Sequence, residues 1–278
     1  MPENITKVWE ITTSKGARRI DLPNIATLDA ITRQLPQGYY STFRTFDNGK
    51  RALGITAHLR RLYKPAGMQN IKVAVDADAL RRHLRDVLRD YSSEARVRVI
   101  MTRDGKVYIV IEALNLLPPE IYLEGVKVVT TAVQRKNPRL KSTDFISTSK
   151  RERAEISRSN IFEALLVRNG IILEGMTSNF FYIMNGELGT ARRNILLGVT
   201  RRIVLRVARG SGLDILYCPM KREKISALSE AFITSSSRGI VPVVRIDGML
   251  VGEGVPGPVT KRLMVGYTNY VKQHTEMI

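Results

Sequence analysis

The stretch "IILEGMTSNFF", residues 171–181, sets one carboxylate, Glu174, inside an apolar run and follows it with Gly175, Thr177, Ser178 and Asn179. A buried carboxylate costs several kcal/mol, roughly, unless a positive or hydrogen-bonding group meets it, so the segment is a surface hairpin or Glu174 has a partner. Three other segments also put polar residues where a strand ends or a helix begins. In "ILLGVTRRIVL" Gly198 and Thr200 precede a helix, whose exposed N–H groups and dipole make a natural phosphate seat. In "FITSSSRGIVPV" Ser235, Ser236, Ser237 and Arg238 lie between two apolar strands, with Gly239 allowing a tight turn. In "PRLKSTDFI" Lys141 follows Pro138 and a strand, and only that setting separates it from an ordinary surface lysine. Taken singly, a threonine at a helix start and serines in a turn are ordinary structure.

The elements that must position these residues follow from periodicity and turn chemistry. Residues 27–34 read as a short helix and 38–46 as a strand, ended by an Asp47-Asn48-Gly49 hairpin turn that tolerates positive φ. "ITAHLRRLYKPAGM" reads as a helix capped by Thr56, and 77–91 as an amphipathic helix with an arginine-rich wet face. Strands 95–102 and 106–113 flank the turn Arg103-Asp104-Gly105. Leu116-Leu117-Pro118-Pro119 cannot continue a strand or a helix interior. The expected division is therefore a domain over 1–115, a linker over 116–119 and a second domain over 120–278. Beyond the linker the pattern gives a strand at 126–133, a polar helix near 145–158, a strand at 162–167 and the Glu174 segment as two short strands. A helix near 200–208, strands at 231–235 and 241–246, and a last helix near 258–273 complete it. Strands and helices mix without a βαβ rhythm, which predicts an α+β (mixed α/β) fold.

Composition narrows the classes. At 44% hydrophobic and 25% charged residues the chain has the make-up of a folded globular protein. No apolar run reaches the roughly 18 residues of a membrane span, and "MPENITKVWEI" lacks the order of a signal peptide. Cys218 is the single cysteine, which excludes an intrachain disulfide and suits the cytoplasm. One cysteine with histidines at 58, 83 and 274 argues against a metal site. The net charge of +18 invites a nucleic-acid reading, yet Lys and Arg are spread in pairs such as Arg60-Arg61, Arg81-Arg82 and Arg192-Arg193. Aromatics are 6% with no stacking series, so a generally solvated cationic surface is expected instead.

In this order the segments resemble the branched-chain and D-amino-acid aminotransferase family, the fold-type IV pyridoxal phosphate enzymes, from about residue 38 onward. "HLRRLYKPA" resembles the basic element that holds the cofactor phosphate, through Arg61, and "LKSTDFI" the segment of the Schiff-base lysine, which is Lys141. "LEGMTSNFFYI" matches the Glu-Gly-x-Thr-Ser-Asn signature, making Glu174 the partner of the pyridine nitrogen. "ILLGVTRRIVL" resembles the first phosphate loop, with Leu196 under the ring and Val199 and Thr200 at the phosphate. "SSSRGIVPVVRIDG" with "GEGVPGPVTKRLM" resembles the second phosphate loop and closing helix, putting Ser236 and Ser237 on the phosphate.

The resemblance implies a small N-terminal α/β domain, a larger C-terminal cofactor domain, pyridoxal 5′-phosphate, and a cytoplasmic homodimer. It implies transfer of an amino group between an amino acid or amine and a 2-oxo acid, with Lys141 as proton-transfer base. Glu174 would keep the ring nitrogen protonated, and that ion pair would stabilise the buried charge. Substrate would be read in the first domain by Tyr40 and by Arg44, Arg96 and Arg98, of which Arg96 and Arg98 share a strand face. Two positions depart from the family pattern: Ile146 stands where many branched-chain members carry tyrosine, and Leu196-Leu197-Gly198 where Leu-Pro-Gly is common. The rivals are an aminodeoxychorismate lyase-type enzyme of the same fold and a basic binding module that has lost catalysis.

Overall fold

Turn chemistry and apolar period set most of the elements of the computed structural model, which describes residues 6–12, 16–23, 27–89 and 91–278. In chain order they begin β1 (Lys7–Thr12), β2 (Gly16–Ile20), α1 (Leu28–Gln34), β3 (Gly38–Phe46), β4 (Arg51–Leu53), α2 (Ile55–Met68), α3 (Ala77–Leu88), β5 (Ala95–Thr102) and β6 (Val107–Ala113). They continue with α4 (Pro119–Glu124), β7 (Val126–Thr131), α5 (Asp144–Thr148), α6 (Lys150–Ser157), β8 (Glu163–Arg168), β9 (Ile171–Gly175), β10 (Asn179–Met184), β11 (Glu187–Gly189) and α7 (Val199–Gly210). The last are β12 (Ile215–Leu216), β13 (Met220–Lys221), a 3-10 turn Arg222–Ala227, β14 (Glu230–Ser235), β15 (Gly239–Ile246), β16 (Met249–Leu250), α8 (Pro258–His274) and β17 (Thr275–Met277). The contacts divide the chain into two units, one of Met1–Asn115, Leu140–Ser147 and His274–Ile278, the other of Leu116–Arg139 and Thr148–Gln273.

The first unit is an antiparallel sheet in the order β17-β4-β3-β5-β6-β1-β2. Its hairpins turn where left-handed backbone was expected: Asp47, Asn48 and Gly49 have φ of 51°, 50° and 88°. At Gly105, with φ 85°, an added Cβ would lie 2.0 Å from the Lys72 carbonyl oxygen, so only glycine fits. Side chains alternate along each strand, and both faces of the sheet are buried, each beneath its own cluster. Phe43, Val97, Val99, Ile109 and Ile111 pack with Leu62 of α2 and Leu80 and Leu84 of α3. Tyr40, Ile100, Tyr108 and Val110 pack with Leu28 and Ile31 of α1, and Ile146 joins them.

Three local expectations change here. α2 starts at Ile55 after Gly54 (φ 66°), not at a Thr56 cap; the Ile55 N–H is met by the Glu276 carboxylate at 3.0 Å. The polar helix near 145–158 is two short ones, broken at Ser149. Two segments drawn into the expected 120–278 domain, 140–147 and 274–278, make their contacts in the first unit instead. For the second of these the cause is plain: β17 pairs antiparallel with β4, and Ile278, 2% exposed, enters the core.

The second unit is built on a sheet that closes on itself. β10, β14, β15, β7, β8 and β9 follow one another by hydrogen bonding, and β9 then pairs with β10 again. That closing contact is a single register pair, Glu174 with Asn179. Farther along, the two strands part: β13 lies on β9, and β11, with β12 beside it, lies on β10. Between β8 and β9 the register passes from Leu166↔Glu174 to Val167↔Ile172, leaving Leu173 as an extra residue of a β-bulge. The interior is apolar, with Val128, Leu165, Ile172, Phe180, Ile233, Val241 and Val243 in one cluster. Among the described residues no helix is long and apolar enough to cross a membrane.

Replacing a buried isoleucine by alanine removes packing and leaves a cavity, at about 2–5 kcal/mol. Ile278→Ala is therefore expected to lower the stability of the first unit by about that amount in urea unfolding, whereas Met277→Ala, at a side chain 54% exposed, should change it little.

Candidate active site

Glu174 ends β9 and is 2% exposed, so its charge must be met inside the protein. It is met from three directions. Arg135, itself buried, places Nε 3.1 Å from Oε1. The Asn179 side-chain amide donates to Oε2 at 3.2 Å and to the Leu196 carbonyl at 2.7 Å, and the Leu196 N–H donates to Oε2 at 3.0 Å. Arg135 also donates to the Met176 carbonyl at 2.7 Å. A carboxylate has about four lone-pair sites, so this arrangement leaves Glu174 able to accept a further donor.

From Leu196 the chain reaches the start of α7 within four residues, roughly 14 Å at most. Gly198 is the residue before the helix, and no side chain caps that end or puts an acid in its first turn. The orphan N–H groups and the dipole there favour an anion. Gly198 is glycine because a Cβ would lie 2.1 Å from the Asn179 Oδ1. The Thr200 hydroxyl, on a residue 2% exposed, is 3.4 Å from the Ser236 hydroxyl, which comes from the turn between β14 and β15. Ser237 is half-buried in the same turn, and Leu196 and Val199 are buried.

A second buried acid ties these two regions together. Glu163, 3% exposed, accepts from the Thr177 N–H and from the Thr177 and Ser178 hydroxyls, just ahead of Asn179. Its other oxygen pairs with Arg238 at 3.0 Å, and Arg238 also donates to Ser235 and Thr177. The turn that sets Asn179 and the turn that carries Ser236 are thus one network. Gly175 stands where a Cβ would lie 2.1 Å from the Ser178 Oγ.

In the first unit Lys141 lies on a segment pinned to β3. Tyr40 N–H donates to the Lys141 carbonyl at 2.9 Å, and Thr143 N–H to the Gly38 carbonyl at 2.9 Å, with a bridge between Tyr39 and Ser142. Lys141 Nζ is 4.7 Å from the centre of the Tyr40 ring, and the Arg98 guanidinium is also 4.7 Å from it. A cation over an aromatic face is worth about 0.5–2 kcal/mol. Arg98 is buried and donates to Asp29 and Thr32, each at 2.8 Å. Arg44 pairs with Glu94 and lies over Phe46, and Arg96 pairs with Glu112, whose carboxyl is pushed up by burial against the pull of that arginine. Arg61 is half-buried on α2. So Tyr40, Arg98 and Lys141 are brought together in one unit, and Glu174, Leu196, Val199, Thr200 and Ser236 in the other, while Arg44 and Arg96 are engaged by acids.

Arg135 and Glu163 are functional candidates that sequence reasoning did not single out, and Asn179 was named there without a role. Asn179 carried a signal, since it faces Glu174 across a short two-strand turn. Arg135 carried none: it is one of 44 Lys and Arg residues, and only the fold buries it. Among the described residues no group of three His, Cys, Asp or Glu could hold a metal ion.

The chain is similar to known proteins along most of its length. The family profile described as "Amino-transferase class IV" matches residues 38–246. A branched-chain-amino-acid aminotransferase of Pseudomonas aeruginosa is 26% identical over 276 residues, covering 90% of each chain. A D-alanine aminotransferase of Bacillus licheniformis is 26% identical over 266 residues, 87% of this chain and 90% of its own. The solved branched-chain amino acid aminotransferase of Escherichia coli shares the fold with a TM-score of 0.80 at 24% identity, over 97% of this chain and 96% of that one.

Removing one partner of a buried ion pair leaves the other charge uncompensated, at about 3–5 kcal/mol. Arg135→Met should therefore destabilise the protein by about that amount, and adding Glu174→Gln should restore much of the loss. Thermal and urea unfolding of both single variants and the double variant checks this; additive losses would contradict it.

Proposed function

This chain belongs to the class IV amino-transferase family, and from that premise we propose that Lys141 is its catalytic base and that Glu174 and the start of α7 hold its cofactor. The activity is that of an aminotransferase, and the cofactor of the family is pyridoxal 5′-phosphate. When bound, that cofactor supplies a protonated ring that withdraws electrons from the substrate's α-carbon. The residues fit it. A buried carboxylate held by Arg135, Asn179 and Leu196 suits a protonated ring nitrogen, and an uncapped helix start beside two hydroxyls suits a phosphate. The single observation that carries the reading is that both features lie in one unit, joined by residues 196–200.

In this reading Glu174 accepts the ring nitrogen's proton in a hydrogen bond, and Arg135 keeps the carboxylate ionised by making its neutral form the costlier one. Leu196, which is buried, would pack beneath the ring. Val199 and Thr200, with Ser236 and Ser237, would hold the phosphate, and Arg61 would add a charge-assisted bond. The amine of Lys141 takes the proton from the substrate's α-carbon, with Tyr40 orienting it through the contact over the ring. Arg98, tied to Asp29 and Thr32, fixes Tyr40 from its own side. Because Arg44 and Arg96 already pair with Glu94 and Glu112, either could bind a substrate carboxylate only by giving up its acid. The family resemblance supports a homodimer working in the cytoplasm, with an amino acid and a 2-oxo acid as substrates.

The test uses purified full-length protein loaded with pyridoxal 5′-phosphate. L-leucine, D-alanine and (R)-1-phenylethylamine are offered in turn with 2-oxoglutarate, and borohydride-reduced protein is digested to locate the pyridoxyl group. Nitrogen transfer to 2-oxoglutarate, a pyridoxyl group on Lys141, and loss of the visible absorbance in Lys141→Ala are expected. A label on another lysine, or an unchanged spectrum in Lys141→Ala, would overturn the assignment of Lys141. Pyruvate released from aminodeoxychorismate without nitrogen transfer would favour the lyase.

A further inference from the structure

Where β9 and β10 part in the second unit, a groove of about 630 Å³ opens, a volume typical of small-molecule sites. Ile171 and the bulged Leu173 line it from β9, Arg168 from the end of β8, Arg192 and Arg193 from the segment after β11, and Tyr217 from between β12 and β13. Not one of the lining residues is acidic. The three arginines are exposed, and no ion pair with a carboxylate involves them among the described residues.

More positive charge stands behind them. The Arg192 and Arg201 guanidinium carbons are 5.5 Å and 6.0 Å from the centre of the Tyr217 ring, and Arg209 donates to the Tyr217 hydroxyl. Arg139 donates to the Arg192 carbonyl at 2.9 Å. Arg201 is buried, its guanidinium held below the usual arginine range first by burial and also by Arg139 and Arg209, against the opposing pull of Tyr217 and Glu174. Three guanidinium groups thus contact one tyrosine, while Arg168 and Arg193 line the same groove and Arg139 bonds the main chain of Arg192. The exposed arginines of the groove repel one another, and an anion between them would relieve that repulsion.

We propose that this groove binds an oligophosphate anion, free or as the tail of a nucleotide. Guanidinium forks match phosphate oxygens in pairs, and three exposed arginines around one groove can engage successive phosphates. The apolar floor of Ile171 and Leu173 with the edge of Tyr217 gives a ring somewhere to rest, which free oligophosphate would not use. The Arg192-Arg193 pair, read from the sequence only as one of several scattered basic pairs, acquires a role here. The groove shares no lining residue with the Thr200–Ser236 seat and does not depend on the catalytic reading.

The experiment is equilibrium dialysis of the full chain in low salt against tripolyphosphate and, separately, ATP, with saturating pyridoxal 5′-phosphate present to fill the other phosphate seat. Both probes are expected to bind, and Arg192→Glu with Arg193→Glu should weaken each at least about tenfold. Arg262→Glu, an exposed arginine of α8 that does not line the groove, should leave them unchanged, with equal unfolding midpoints showing that both variants fold. ATP binding tighter than tripolyphosphate, with the excess lost in Tyr217→Ala, supports the nucleotide form; equal affinities support the free oligophosphate. Binding of neither probe, equal binding by the double variant, or a strong preference for long RNA over both probes overturns the proposal.

Discussion

The buried charge of Glu174 is the constraint on which the second unit turns. A carboxylate 2% exposed survives only where the fold brings it a cation and hydrogen-bond donors, and here Arg135, Asn179 and the Leu196 N–H come from three separate segments. The same residue makes the register pair that closes the ring of strands. Electrostatics and topology therefore select one arrangement: a slip of β9 by one residue would turn Glu174 outward, unpair Arg135 and open the sheet.

Around this pair the small residues are there to let polar groups approach. Gly175 makes room for Ser178, and Gly198 for Asn179. Glu163 and Arg238 bind the 177–179 turn to the 235–239 turn, so the acid end and the phosphate end of the proposed cofactor site are held by one hydrogen-bonded network. Such a network is stiff when every member is satisfied, which is what a site needs if its groups are to be in place before the ligand arrives. The lysine side uses a different device, a backbone clamp between residues 141–143 and the start of β3, which fixes the main chain and sets the amine against the Tyr40 ring.

Local rules made much of this legible. The Asp47-Asn48-Gly49 and Arg103-Asp104-Gly105 turns, the strands they join and the amphipathic helix α3 need nothing beyond neighbours in sequence. So does the oddity of a lone acid in an apolar run, which pointed at Glu174 without structural help. What stayed hidden is long-range. The start of α2 is met by Glu276, 221 positions away, and no local signal announces that. β17 follows directly on the last helix, which ends at His274, and its three residues carried no strand signal of their own. Arg135 could not be told from the other basic residues, because its burial exists only after the ring of strands has closed. The basic groove was likewise invisible, since Arg168, Arg192 and Arg193 meet only where β9 and β10 diverge.

The measurement that bears most directly on the role of Glu174 is the ¹⁵N chemical shift of pyridoxal 5′-phosphate labelled at the ring nitrogen and bound to the protein. If Glu174, charged by Arg135, faces that nitrogen, the shift will be that of a protonated pyridine well above the pH at which the free cofactor loses its proton, and Glu174→Gln will move it to the neutral value. A neutral shift in the unmodified protein, or a protonated one that survives Glu174→Gln unchanged, would contradict the account.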